Sequence, residues 1–178
     1  ILPCLPAKIN TYYEPFVGGG AVFFALAADS RFERAVLGDR NRELMRTYDA
    51  LRLHTDQVIR ALKGYIYDEK YYYSVRAKDP NMLGPSDCAA RLIYLNRTCF
   101  NGLYRVNKSG GFNVPFGDYK NPTICDEENL RSAAEALSVV RLIGEDFGEV
   151  VRSAKKGDTV YFDPPYVPLS NTSNFTSY

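Results

Sequence analysis

Metal, disulfide and histidine chemistry have little to stand on in this sequence. The cysteines Cys4, Cys88, Cys99 and Cys125 show no Cys-x-x-Cys spacing, so neither a zinc site nor a disulfide framework is expected, and no metal is assigned. Reduced thiols and a cytoplasmic location fit that pattern. The only histidine, His54, lies in Leu51-Arg52-Leu53-His54-Thr55, near the expected end of a helix whose apolar face includes Leu44, Tyr48 and Leu51. A surface or capping role suits it better than catalysis. No apolar run approaches the roughly 18 residues of a membrane span. Charge of one sign is also missing: 22 Lys and Arg against 21 Asp and Glu leave a net +1, which carries no overall signal for nucleic acid. What remains, 46% hydrophobic over 178 residues, is enough for one or two modest cores.

The chain does hold a Thr159-Val160-Tyr161-Phe162 run leading into Asp163-Pro164-Pro165-Tyr166. It reads as a buried strand ending in a rigid turn. This arrangement suits methyl transfer to an exocyclic amino nitrogen, whose lone pair is delocalised into its ring and must be drawn toward tetrahedral geometry. The Asp163 carboxylate would accept one N–H and the Pro164 carbonyl the other, while the prolines stiffen the loop. Tyr166 would offer a stacking face to a base swung out of its helix. Taken alone, the same residues could be a strand end and a core tyrosine.

Near the start, Thr11-Tyr12-Tyr13-Glu14-Pro15-Phe16-Val17 runs into Gly18-Gly19-Gly20 and then Ala21-Val22-Phe23-Phe24-Ala25-Leu26-Ala27-Ala28, a strand, a glycine turn and a helix. The spacing predicts that Ala21, Phe24, Ala25 and Ala28 face the sheet. The glycines would let a ligand approach the backbone. A dinucleotide fingerprint is excluded, because Phe23 stands where its last glycine belongs. S-adenosylmethionine has no pyrophosphate and needs only close approach plus an acid for its ribose. Asp39, after the expected strand Ala35-Val36-Leu37-Gly38, is placed for that.

Strands are expected at 12–16, 35–38, 139–144 and 159–162, giving an α/β fold of the methyltransferase, Rossmann-like type with an incomplete sheet. Residues 1–55 and 136–178 would form the cofactor and catalytic lobe, and 56–135 an inserted helical and hairpin recognition subdomain. Within the insert, Tyr65, Tyr67, Tyr71, Tyr72 and Tyr73 read as packing of a small helical unit rather than as a stacking platform. A helix starting near Ser86 or Asp87, with Ala89, Leu92, Ile93 and Asn96 on one face, would aim Arg97 and Asn101 at DNA. Residues 104–106 and 112–116 read as hairpin arms about an Asn107-Lys108-Ser109-Gly110-Gly111 turn, a ribbon able to enter a major groove. Between positions 91 and 120, Arg91, Arg97, Arg105, Lys108 and Lys120 stand against Asp118 alone, a local 5 − 1 = +4 that suits phosphates. Asp126-Glu127-Glu128 should open a further helix with Leu130, Ala133, Ala134 and Leu137 along one side.

Glu14-Pro15-Phe16-Val17-Gly18-Gly19-Gly20, then Asn96-Arg97-Thr98-Cys99-Phe100-Asn101-Gly102-Leu103-Tyr104-Arg105-Val106-Asn107, then Phe112-Asn113-Val114-Pro115-Phe116-Gly117, and finally Asp163-Pro164-Pro165-Tyr166 resemble the DNA adenine-N6 methyltransferase family that methylates GATC sites. Their order matches that family's α arrangement. The resemblance implies S-adenosylmethionine as cofactor, double-stranded DNA as partner, and a bacterial or phage setting. It implies cofactor contacts at Glu14, Phe16, Gly18, Gly20, Asp39, Asp146, Phe147 and Asp163, and catalysis at Asp163, Pro164 and Tyr166. For DNA it implies that Arg105 reads a guanine, that Leu103 and Pro115 touch neighbouring bases, and that Phe100 and Asn101 enter the duplex near the flipped adenine. Arg97, Asn107, Lys108 and Lys120 complete the expected DNA contacts.

The departures matter too. Phe100 stands where some members carry tyrosine, and Asp118 where several carry a phosphate-touching arginine. The family's Trp- and Lys-containing segment for the methionine part of the cofactor is not found, and four strands are fewer than the family's sheet. The chain is therefore expected to be a fragment or truncation, weakly stable, self-associating and nearly inactive alone. Two other function classes stay open on the residues. One is methylation of cytosine N4 or RNA adenine, which the Asp163 motif permits; glutamine methylation fits less well, because such enzymes more often carry Asn there and have no use for a basic hairpin. The other is a non-catalytic DNA-binding remnant.

Overall fold

The computed structural model describes residues 1–107 and 109–164. Its centre is a parallel sheet of strands β1 (Ile9–Glu14), β2 (Phe32–Gly38), β3 (Val140–Ile143) and β4 (Thr159–Val160) in the order β3-β2-β1-β4. Tyr12 pairs with Ala35 and Thr159, and Tyr13 with Val36 and Val160, so β1 is paired on both sides. A parallel strand flanked in this way is buried on both faces. Tyr12 joins the main core, and Tyr13 joins a smaller cluster with Val36 and Val150.

The helices are α1 (Ala21–Ala28), α2 (Arg42–Lys63), α3 (Glu69–Arg76), α4 (Pro85–Thr98), α5 (Glu127–Leu137) and α6 (Phe147–Val151). Their starts follow from local chemistry. Asn41, Asp68, Asp126 and Asp146 each cap a helix by accepting a backbone N–H, from Leu44, Tyr71, Asn129 and Gly148 respectively. Glu43 in the first turn of α2 and Arg60 and Lys63 in its last complement the helix dipole. Leu130 and Leu137 of α5 are buried on the expected side.

Four local expectations are corrected. In α1, Phe23 and Leu26 are the buried residues, while Ala21 and Ala28 are exposed. All eight residues of that helix are apolar, so periodicity had no polar face to measure against, and the larger side chains took the core. Phe23 packs against Phe32 with ring centroids 5.6 Å apart. His54 does not end its helix: the backbone leaves helical geometry there, at φ −138°, and helix resumes to Lys63. In α4, Asn96 is exposed, and Tyr94, Leu95 and Thr98 are buried in addition to Ala89 and Leu92, because both α2 and α3 pack on it. The expected ribbon shortens to single antiparallel bridges, Val106 with Phe112 and Cys99 with Phe116.

Candidate active site and recognition segment

In a parallel sheet all carboxyl ends lie along one edge, and ligands of open α/β sheets bind there. Each strand of this sheet delivers an acid to that edge: Glu14 ends β1, and Asp39, Asp146 and Asp163 follow β2, β3 and β4. The turn between β1 and α1 fills the space beside them. Val17 N–H donates to the Gly38 carbonyl at 2.9 Å and Gly20 N–H to the Val17 carbonyl at 2.7 Å. Gly18 and Gly20 take φ of +47° and +70°, which β-carbon sterics make unfavourable for other residues. The turn is pinned to Asp39, whose carboxylate accepts Gly18 N–H at 3.0 Å and Asn41 N–H at 2.8 Å. Tyr48 on α2 donates its hydroxyl to the Gly18 carbonyl at 2.6 Å.

Glu14 is 3% exposed and accepts the Tyr12 hydroxyl at 2.8 Å. Burial pushes its carboxyl up to about 7, and the Asp163 charge adds to the rise, while Tyr12 and the Phe23 N–H oppose it. Phe16 follows Glu14 two residues later, before the glycines. Its ring lies 5.7 Å from Phe147 and 6.3 Å from Phe162, and these two are 47% and 49% exposed. Asp146, which caps α6, faces Arg40 at 3.5 Å. Asp163 and Pro164 are exposed at the end of β4.

The structure thus brings Glu14, Phe16, Gly18, Gly20, Asp39, Asp146, Phe147 and Asp163 to one edge. Phe162, expected as the end of a buried strand, belongs to the same aromatic group instead: β4 stops at Val160 and is only half-buried, and Phe162 stands exposed two residues beyond it. Tyr166, Pro165 and Lys108 lie outside the described residues. Among the described residues, no group of three or more His, Cys, Asp and Glu side chains could hold a metal ion, and no helix is long and apolar enough to cross a membrane.

The second part of the candidate site runs from Arg97 to Lys120. Arg97, Phe100, Asn101, Leu103, Arg105, Asn107, Pro115 and Lys120 are all exposed. Asn101 adopts φ +52°, a left-handed conformation that asparagine tolerates. Arg105 is held toward Asn113, donating to its side-chain oxygen at 2.7 Å and its carbonyl at 3.1 Å. Asn107 shapes the turn by accepting Ser109 N–H and Gly111 N–H, each at 2.9 Å.

Arg91 leaves the expected basic patch. It is 2% exposed and ion-paired to Glu43 at 2.6 Å. Its remaining donors cap the end of α3, reaching the carbonyls of Val75 at 3.2 Å and Arg76 at 2.9 Å. The surface balance falls accordingly.

Side chains of the tyrosine-rich insert support this segment. Tyr72 donates to the Val114 carbonyl at 2.8 Å and Arg76 to the same carbonyl at 2.9 Å. Tyr67 donates to the Gly117 carbonyl at 2.5 Å and accepts Tyr119 N–H at 2.7 Å. Tyr119 in turn donates to the Cys99 carbonyl at 2.9 Å. Tyr65 and Tyr71 pack edge-on against Tyr94. Packing is what Tyr65, Tyr67, Tyr71 and Tyr72 do, and the hydroxyls of Tyr67 and Tyr72 carry the positioning; Tyr73 is instead exposed, with the Arg76 guanidinium 4.6 Å over its ring.

A parallel sheet with a glycine turn and acids along its carboxyl edge defines an α/β fold of the S-adenosylmethionine-dependent methyltransferase type. The chain belongs to the D12 class N6 adenine-specific DNA methyltransferase family, whose profile matches residues 1–178. It is 43% identical over 182 residues to the Type II methyltransferase M1.LlaDCHI of Lactococcus lactis subsp. cremoris, covering 98% of this chain and 63% of that protein. The Type II methyltransferase M.MjaIII of Methanocaldococcus jannaschii is 44% identical over 185 residues, covering 96% and 63%. A DNA adenine methylase of Serratia marcescens is 38% identical over 178 residues, covering 98% and 64%. The chain spans about three fifths of the length of these relatives.

Proposed function

We propose that this chain carries the cofactor edge and base-recognition segment of a DNA methyltransferase acting on adenine N6, with double-stranded DNA as substrate and GATC-like sites as targets. The observation that carries this reading is the convergence of Asp163 and Pro164 with Glu14, Asp39 and the glycine turn at one sheet edge. The relatives' names, DNA adenine methylase and Type II methyltransferase, support it and suit a role in restriction-modification.

The residues fit S-adenosylmethionine. A side chain added at Gly18 or Gly19 would meet nothing within 4 Å, so open space lies over the turn. Asp39 uses each carboxylate oxygen once and keeps lone pairs for ribose hydroxyls. The exposed faces of Phe147 and Phe162 suit an adenine ring, with Asp146 beside them. When bound, the cofactor supplies an electrophilic methyl group.

The chain's own residues act on the target amine. Asp163 accepts one amino N–H and the Pro164 carbonyl the other, which localises the nitrogen lone pair as charge develops. Inside a duplex one amino hydrogen is held in the Watson–Crick pair, so the base must be extruded for both to be engaged. Tyr166 supplies its stacking face. Arg105, Leu103 and Pro115 read neighbouring bases, Phe100 and Asn101 enter the stack, and Arg97, Asn107, Lys108 and Lys120 face the backbone.

Incubating DNA with labelled cofactor and mapping the modified base tests the proposal. Methyl on adenine N6 is the expected result; methyl on cytosine N4 would transfer the reading to that base, and cofactor-independent DNA binding without transfer would favour a non-catalytic role. Asp163→Ala should lower transfer by about 10²–10³-fold while leaving most DNA affinity.

A further inference from the structure

We infer that Tyr48 is a positioning residue that turns the Gly19 N–H outward as a hydrogen-bond donor to an acceptor oxygen of the cofactor; the inference rests on the function proposed above. Gly20 N–H donates to the Val17 carbonyl at 2.7 Å, which closes a turn whose central peptide joins Gly18 to Gly19. Turn types differ mainly in the way this central peptide faces. Here it lies between two glycines, so no β-carbon on either side restricts its rotation. Its orientation is set from α2 instead, where the Tyr48 hydroxyl donates to the Gly18 carbonyl at 2.6 Å.

The direction of the Gly19 N–H follows from peptide geometry. None of the described peptide bonds is cis, and in a planar trans peptide the N–H points opposite to the carbonyl. The Gly18 carbonyl is drawn toward a tyrosine that is only 5% exposed, so the Gly19 N–H faces away from that buried side. Gly19 is exposed, and a side chain added there or at Gly18 would meet nothing within 4 Å. Among the described residues its N–H has no acceptor. An unpaired donor thus stands over the open side of the turn, while Asp39 holds the preceding peptide through the Gly18 N–H at 3.0 Å. The tether itself is well fixed: a β-carbon at Gly20 would lie 3.1 Å from the Tyr48 hydroxyl oxygen. Burial, with the charges of Glu14 and Asp39, raises that hydroxyl well above the usual tyrosine range, so it stays a donor at neutral pH.

Two measurements with S-adenosylhomocysteine test this. In the parent protein, amide hydrogen exchange followed by nuclear magnetic resonance should show the Gly19 amide slowed by about 10-fold or more at saturating ligand, a result that needs no variant to fold. By calorimetry, Tyr48→Phe, which keeps the ring and its 6.3 Å contact with Phe24, should bind the same ligand about 3- to 10-fold more weakly, the worth of one net hydrogen bond, with duplex affinity little changed. Gly18→Ala strains φ of +47° and disturbs the same peptide, so Tyr48→Phe in that background should cost no more than about 2-fold further. Full additivity of the two variants overturns the inference, as does undiminished ligand affinity in Tyr48→Phe. Equal losses of ligand and duplex affinity with a lowered melting temperature also overturn it, since a merely structural role would give them. A parent that binds the ligand without slowing the Gly19 amide overturns it too, but leaves the proposed function standing. A parent that binds no ligand removes the function and this inference together.

Discussion

The proposed cofactor edge and the proposed recognition segment are built by opposite means. At the edge, regular parallel pairing sets the backbone, and each strand hands over one acid in the same direction. In the segment from Arg97 to Lys120 the backbone is irregular, with single bridges in place of a ladder, and is held by tyrosine and arginine side chains reaching its carbonyls. Sheet geometry is generic and makes one edge suitable for a ligand. Side-chain scaffolding is specific and can hold a shape that no regular element provides. The two regions also bury charge differently: Glu14 at the edge has a hydroxyl and an amide for company, whereas Glu43 beneath the segment has a full countercharge in Arg91.

That last contrast gives the largest expected effect. Arg91→Met would leave Glu43 without its ion-pair partner, with only the Arg46 charge nearby, in a site where burial already raises its carboxyl, and would strip donors from the end of α3. Breaking a buried pair in this way should cost about 3–5 kcal/mol, measured by denaturant unfolding. Loss below about 1 kcal/mol would show that the pair is solvated and that α3 is held by packing alone.

Glu14 should respond to pH instead. Its folded value near 7 exceeds the 4.5 of the free group, so the native state binds the extra proton between those values. Stability from this group is therefore full below about 4.5 and falls as pH rises toward 7, by at most about 1.4 kcal/mol per pH unit. Glu14→Gln should flatten that slope in unfolding measured across the window. An unchanged slope would mean that Glu14 does not hold its proton in the native protein.

The edge was far more legible in the sequence than the segment's support, for reasons visible in particular residues. Apolar strands separated by a glycine turn announce parallel β-α units, and Asp39 follows from the length of one such unit. The buried face of α1 did not follow, because a helix apolar all round has no periodic contrast. Arg91 looks like surface charge in the sequence because its burial depends on Glu43, 48 positions away in the chain. Tyr67 and Tyr72 were legible as packing, but the carbonyls they hold lie 50 and 42 positions onward, and local pattern carries no trace of those pairings.

Arg105, exposed and proposed to read a base, should show a smaller effect, confined to specificity. Arg105→Ala should relax one base position of the methylated site by about 1–3 kcal/mol of discrimination and leave folding unaffected. A methylation map with the parent's preference would assign base reading to a neighbour such as Leu103 or Asn101.

The smallest effect tests the side-chain scaffold itself. Tyr72→Phe keeps the buried ring and its contact with Phe116, and removes only the hydroxyl that donates to the Val114 carbonyl. A typical net hydrogen bond is worth about 0.5–1.5 kcal/mol. The loss should fall in the lower part of that range, because Arg76 still donates to the same carbonyl and leaves it paired. Arg76→Met alone should behave similarly, and the double variant should exceed the sum of the two, because only then is the carbonyl stripped of both side-chain donors. Unfolding measurements on the four proteins decide it. Strict additivity would mean that the carbonyl finds another donor, and that the segment is held by its bridges to Cys99 and Val106 rather than by the helices beneath it.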